Sequence, residues 1–184
     1  MKMKDNLTFA LVVVAAIWIG FGFEMLFPSL IKLGIRPRTV SGLWGIVFSP
    51  FLHLNLGHLI ANTIPLFVLL LLALSYNRTL ALEALAIIAV LGGGLVWLFG
   101  RPHTVVIGAS GVIFGLVGFL MFVGVFRREL KAVIVAVIVV LLYGSTFVYG
   151  LVPRPYVSFL GHVFGFLSGI VAAWQAGQSR RGKA

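Results

Sequence analysis

The chain has 184 residues, 61% hydrophobic and only 10% charged, with a mean hydropathy of +1.15. A soluble domain of this size could not keep so much apolar surface from water, so the composition excludes a soluble globule and leaves no room for a second domain. The net charge of +10 comes without a contiguous basic stripe interleaved with aromatics, which argues against nucleic acid, and the absence of cysteine excludes disulfides, thiolate metal sites and a cysteine nucleophile.

A helix needs about 20 mostly apolar residues to cross a hydrocarbon core about 30 Å thick. The first such run covers 9–27. It is long for a signal peptide, lacks a small-x-small cleavage site and is followed by more spans, so it reads as a retained helix. Residues 28–57 contain Pro28, Pro37 and Pro50, the cations Lys32, Arg36 and Arg38, and an apolar patch at 43–48. This stretch is too broken to span and too apolar for a free linker. It predicts a structured external loop in or on the interface.

Five further spans follow at 58–76, 80–99, 110–126, 131–149 and 159–176. The turns between them carry Asn77-Arg78, Gly100-Arg101-Pro102-His103, Arg127-Arg128-Glu129 and Pro153-Arg154-Pro155, and a basic tail holds Arg180, Arg181 and Lys183. No internal repeat suggests duplicated halves. The expected fold is therefore all-α, a single bundle of six transmembrane helices. With six spans both termini share a side, and that side carries nine of the 14 cations against five on the other. The excess places both termini in the cytoplasm of a multi-pass cell-membrane protein.

Orientation then predicts depth. The second, fourth and sixth spans run inward, so their N-terminal ends share the outer leaflet. Ser110 stands roughly 24 Å above Phe126 and His162 roughly 20 Å above Gln175, at about 1.5 Å per residue. His58 and Asn62 occupy the first turns of the second span. Polar side chains in hydrocarbon are costly and mark a site or a wet cavity. Gly111 and Gly115 on the fourth span, and Gly161, Gly165 and Gly169 on the sixth, form two small-residue faces. If they meet, Ser110 and His162 approach within hydrogen-bond range, as a nucleophile and its base require. The plainer reading, that the glycines only pack helices, is compatible with this.

No carboxylate is well placed to orient His162. Asp5, Glu83 and Glu129 lie toward the cytoplasmic side, and Glu24 reads as an interfacial carboxylate at the outer end of the first span. A Ser-His dyad is thus favoured over a triad. His58 and Asn62, four residues apart on one helix face, offer donors beside the serine, and the Ser110 backbone N–H adds a third. Converging donors are what an oxyanion hole needs; the plainer and less favoured reading of Asn62 is an interhelical hydrogen bond. A metal is the competing use of His53, His58, His103 and His162, but HExxH is absent and no carboxylate completes a ligand set. His53 and His103 fall in external loops and read as solvated or structural. No cofactor is implied.

Taken together, His58-x-x-x-Asn62, Gly108-Ala109-Ser110-Gly111 and Gly161-His162-Val163-Phe164-Gly165, in that order on the second, fourth and sixth spans, resemble the rhomboid intramembrane serine proteases. The resemblance implies Ser110 as nucleophile, His162 as general base, and His58, Asn62 and the Ser110 backbone as oxyanion stabilisers. It gives His53 at most a supporting role. It also implies single-pass membrane proteins as substrates, cut near the outer end of their helix, with the active site open to that side. Two features depart from the family: Trp44 is followed by Gly45, not arginine, and Phe114 stands where a tyrosine often stacks on the histidine. The chain reads as a minimal form without a seventh span. The alternative within the family is a catalytically silent relative that binds or escorts membrane clients, but such relatives typically lose the serine or histidine. A channel is disfavoured by the apolar cytoplasmic halves of the spans. Oligomeric state is not legible.

Overall fold

In the computed structural model, residues 3–152 and 157–181 are described. Among them, six helices are long and apolar enough to cross a membrane: α1 (Met3–Leu26), α2 (Leu56–Tyr76), α3 (Arg78–Phe99), α4 (Ser110–Arg127), α5 (Leu130–Gly150) and α6 (Phe159–Arg181). The predicted Pro153-Arg154-Pro155 turn lies outside the described residues, as do Lys2 and Lys183. Helix α1 begins six residues before the predicted span at Phe9. Hydropathy marks hydrocarbon and not helix ends, and here a polar first turn is held in place. Asn6 Nδ2 donates to the Leu74 carbonyl at 3.2 Å and Arg78 donates to Asn6 Oδ1 at 3.1 Å.

Short polar residues set the helix starts. Asn55 caps α2 by accepting from the His58 N–H at 2.9 Å, and Asn77 caps α3 by accepting from Leu80 N–H at 3.1 Å. Helix α3 widens into a π-helical turn at Ile88–Gly92. That turn packs into the centre of the bundle, where a Cβ on Gly115 would strike the Ile88 side chain.

Helix α4 is the axis of the bundle, with 56% of its apolar window buried, against 11% for α5. Its closest partner is α6. A Cβ on Gly165 would collide with the Gly111 carbonyl, and one on Gly169 with the Gly115 carbonyl. In lipid no hydrophobic force draws helices together, so close van der Waals contact through small residues must do so. The expected glycine faces do meet. Gly115 goes further than expected: its own missing side chain admits α3, so it sits where three helices converge.

The connection from α1 to α2 is ordered in short turns, Pro28–Leu33, Val40–Trp44, Gly45–Phe48 and Ser49–Phe51. It docks on the C-terminal end of α3 and on the loop that follows it. Ile35 and Val106 exchange two backbone hydrogen bonds of 2.9 Å, the Arg38 N–H donates to the Trp97 carbonyl at 3.0 Å, and Trp97 Nε1 donates to the Thr39 carbonyl at 2.8 Å. Val40, Trp44 and Val47 leave their apolar side chains exposed on the loop, as suits a segment lying in a membrane interface.

Candidate active site

A cavity of about 370 Å³ opens among α2, α4, α5 and α6, and Ser110, His162, His58 and Asn62 all line it. The four polar residues singled out in the sequence therefore share one wall-lined space.

Ser110 is the first residue of α4. The turn before it depends on Gly108, whose φ of +108° disfavours any L side chain and whose Cβ position lies 2.7 Å from His58 Cε1. The backbone donors of this turn can be accounted for in order. Gly108 N–H donates to the Ser49 carbonyl at 2.8 Å, and Ala109 N–H makes a long contact of 3.5 Å to His53 Nε2. The first bond within the helix runs from Ile113 N–H to the Ala109 carbonyl at 3.0 Å. The helix itself thus leaves the N–H groups of Ser110, Gly111 and Val112 over, at its positive end. An anion forming beside Ser110 would meet them.

His162 lies in the first turn of α6, where Ser158 Oγ accepts from Gly161 N–H at 3.1 Å and the Ser158 carbonyl accepts from His162 N–H at 3.1 Å. The imidazole is buried and fixed at two points. Its Nδ1 lies 2.7 Å from the Gly150 carbonyl oxygen. A carbonyl only accepts, so Nδ1 carries the hydrogen and Nε2 keeps its lone pair. The Phe114 ring stacks on it, with centroids 4.1 Å apart and planes 3° from parallel. Sequence reasoning found no carboxylate to orient this histidine; a main-chain carbonyl of α5 occupies that role. No side-chain pattern could have announced it.

His58 and Asn62 are one turn apart on α2. Asn62 Nδ2 donates to the His58 carbonyl at 3.0 Å, which uses one amide hydrogen and leaves the other. The His58 ring is edge-on to His53, with centroids 5.1 Å apart. His53 itself is only 1% exposed. Burial, and then the charge of neighbouring His58, push its pKa down to about 4, against a smaller upward pull from the Phe51 backbone. That shift favours the neutral ring near pH 7. His103 sits on an exposed turn with φ +60° and does not line the cavity.

Glu24 lies near the end of α1, is buried there, and its Oε2 accepts from the His53 backbone N–H at 2.9 Å. A carboxylate at the end of a span looks interfacial in sequence because nothing there marks the backbone donor it will meet. Of the packing glycines, Gly108 shapes the serine turn, Gly111, Gly165 and Gly169 close the α4–α6 seam, and a Cβ on Gly161 would press on Ser158 Oγ at 2.9 Å.

Residues 40–179 match the family model of the Rhomboid domain. Uncharacterized proteins of Mycobacterium bovis and Mycobacterium tuberculosis are 41% identical over 150 residues, covering 77% of this chain and 62% of theirs. One from Mycobacterium leprae is 39% identical over 155 residues, covering 79% of this chain and 61% of its own length. The candidate rhomboid protease YdcA of Bacillus subtilis is 26% identical, covering 97% of this chain and 92% of its own length. The chain thus spans less than two thirds of the mycobacterial relatives it matches.

Proposed function

Since the chain belongs to the rhomboid family, we propose that it is an intramembrane serine endopeptidase that works through Ser110 and His162. The observation that carries this reading is the placement of both residues on one cavity, with His162 Nδ1 held by the Gly150 carbonyl. A serine hydroxyl is a weak nucleophile until a base takes its proton. In this reading His162 Nε2 takes it as Ser110 Oγ attacks the scissile carbonyl, and the Nδ1–H to Gly150 bond steadies the imidazolium. The oxyanion is received by the Ser110 N–H, by the free amide hydrogen of Asn62 and by the His58 ring. His162 then protonates the leaving amine, and water hydrolyses the acyl-enzyme by the same steps in reverse order.

In this reading both termini lie in the cytoplasm and the cavity opens on the outer side, which the excess of cations on the termini's side supports; the family resemblance implies single-pass membrane proteins, cut near the outer end of their helix, as substrates. Water reaches Ser110 from that side and the substrate helix enters from lipid between α2 and α5. Two features support this route. Helix α5 is the least buried span, and Leu141 and Leu142 on it are exposed. Of the segment 153–159 expected to cap the cavity, 153–156 lie outside the described residues, while Val157 and Ser158 line it.

The test is cleavage of a single-pass substrate by purified protein in lipid vesicles. Wild type should release two fragments. Ser110→Ala and His162→Ala should each abolish this, and the double variant should be no worse, because members of a dyad act as a unit. Retained activity in either variant would refute the dyad; substrate binding without any cleavage by wild type would favour the client-escort alternative.

A further inference from the structure

We propose that Glu24 and His53 are positioning residues for Ser110, the two ends of a strut that joins α1 to the peptide units just before the serine. The inference rests on Ser110 being the nucleophile and adds residues to that site which the dyad and the oxyanion donors do not include.

The strut begins on one face of α1, where Gly20 and Glu24 lie one turn apart. At Gly20 the helix comes so close to the loop that a Cβ would stand 2.6 Å from the Phe51 carbonyl oxygen. At Glu24 the buried carboxylate accepts from the His53 N–H at 2.9 Å. Residues 51–53 are therefore clamped to α1 at two points, one by contact and one by a hydrogen bond to a carboxyl oxygen.

From there residues 49–53 reach the serine turn twice. The Ser49 carbonyl accepts from Gly108 N–H at 2.8 Å, and His53 Nε2 lies 3.5 Å from Ala109 N. The second contact is long, so the ring acts as a wedge as much as an acceptor. It is 1% exposed and stands edge-on to His58, which in turn packs on Gly108. Its other ring nitrogen, Nδ1, is buried without a hydrogen-bond partner of good geometry. Keeping an unsatisfied polar ring in this place, where a phenyl ring would cost less, is explained if Nε2 is needed toward Ala109. Two consecutive peptides preceding Ser110 thus take their position from a loop that α1 holds.

Fixing of this kind is useful where a 1 Å displacement matters. Moving a nucleophile by that much can cost about 100-fold in rate. Removing the Glu24 bond should release residues 51–53, tilt the His53 ring and loosen Gly108 and Ala109, with the substrate cavity between α2 and α5 left as it was. The signature is a fall in kcat with little change in KM.

The experiment combines hydrogen exchange over residues 105–113 with vesicle kinetics for wild type, Glu24→Leu, Glu24→Gln and His53→Phe. Glutamine retains an oxygen that can accept from His53 N–H; leucine fills similar volume without one; phenylalanine keeps the wedge and removes both ring nitrogens. We expect Glu24→Leu and His53→Phe to speed exchange in this segment and to lower kcat by about 10-fold or more at a KM within about 3-fold of wild type. Glu24→Gln should retain most of both properties. If one of the first two variants does not fold, the other decides. Wild-type exchange and kcat in the folded variants would overturn the strut, as would a Glu24→Gln variant as impaired as Glu24→Leu. Faster exchange in the variants of a chain whose wild type cleaves nothing would support the strut and remove the protease reading. Unchanged exchange beside Ser110-dependent cleavage would do the opposite.

Discussion

The Phe114 ring lies flat on the His162 imidazole, 4.1 Å from it centroid to centroid, and the space beyond that ring is closed by Gly150, where a Cβ would strike Phe114 Cζ. The same Gly150 supplies the carbonyl that holds His162 Nδ1. Gly150→Ala should therefore displace the stacked ring and disturb the histidine together, costing about 10-fold or more in kcat, as misplaced catalytic groups do. Phe114→Tyr should be tolerated better than Phe114→Leu, since it preserves the stacking face. Vesicle kinetics on the three variants check this; equal rates for Phe114→Leu and wild type would contradict it.

The oxyanion donors should matter most once negative charge develops. Asn62→Ala or His58→Ala should lower kcat by about 10–1000-fold with smaller effects on KM. Because Asn62 also bonds the His58 carbonyl, its replacement should cost a little stability, which thermal unfolding would register. Wild-type kcat in both folded variants would make these residues purely structural.

The α4–α6 seam gives a contrast between two glycines. At Gly165 a methyl group would meet the Gly111 carbonyl, which is backbone and cannot swing away, whereas at Gly94 nothing lies within 4 Å. Gly165→Ala should destabilise the fold by about 1–3 kcal/mol, the usual cost of overpacking, and reduce cleavage by separating Ser110 from His162. Gly94→Ala should be neutral or mildly stabilising in its helix. Melting temperatures in detergent decide between them.

What the sequence made legible was what side chains and their spacing encode. The six spans, the small-residue faces of α4 and α6 and the similar depth of Ser110, His162, His58 and Asn62 follow from hydropathy, span orientation and glycine spacing; the pairing of Gly111 with Gly165 and of Gly115 with Gly169, and the common cavity, come from the structure. What remained hidden depended on main-chain atoms. The Gly150 carbonyl on His162, the Ser49 carbonyl on Gly108 and the His53 N–H on Glu24 have no residue-type signature. The π-helical turn at Ile88–Gly92 is likewise a backbone register that hydropathy does not see. The burial of His53 and Glu24 was hidden too, because a docked loop removes from water residues that a free loop would expose.

Acid should act on the fold through His53. Its folded pKa is about 4 against an ordinary value of 6.5. Between those values the unfolded chain binds the proton and the folded chain does not, so acid favours unfolding. The stability contributed by neutral His53 is whole above about pH 6.5 and is lost as pH falls toward about 4. The wild-type melting temperature should drop over that interval more steeply than that of His53→Phe. Parallel curves for the two proteins would show that His53 titrates normally.

The most direct test of the account is covalent. An alkyl fluorophosphonate reacts with a serine whose hydroxyl is activated by a neighbouring base. On the intact protein it should add one phosphonyl group, which peptide mapping places on Ser110. Labelling should vanish in Ser110→Ala and fall sharply in His162→Ala, while Asn62→Ala should still react, though more slowly. A label on another serine, or undiminished labelling of Ser110 without His162, would contradict the dyad.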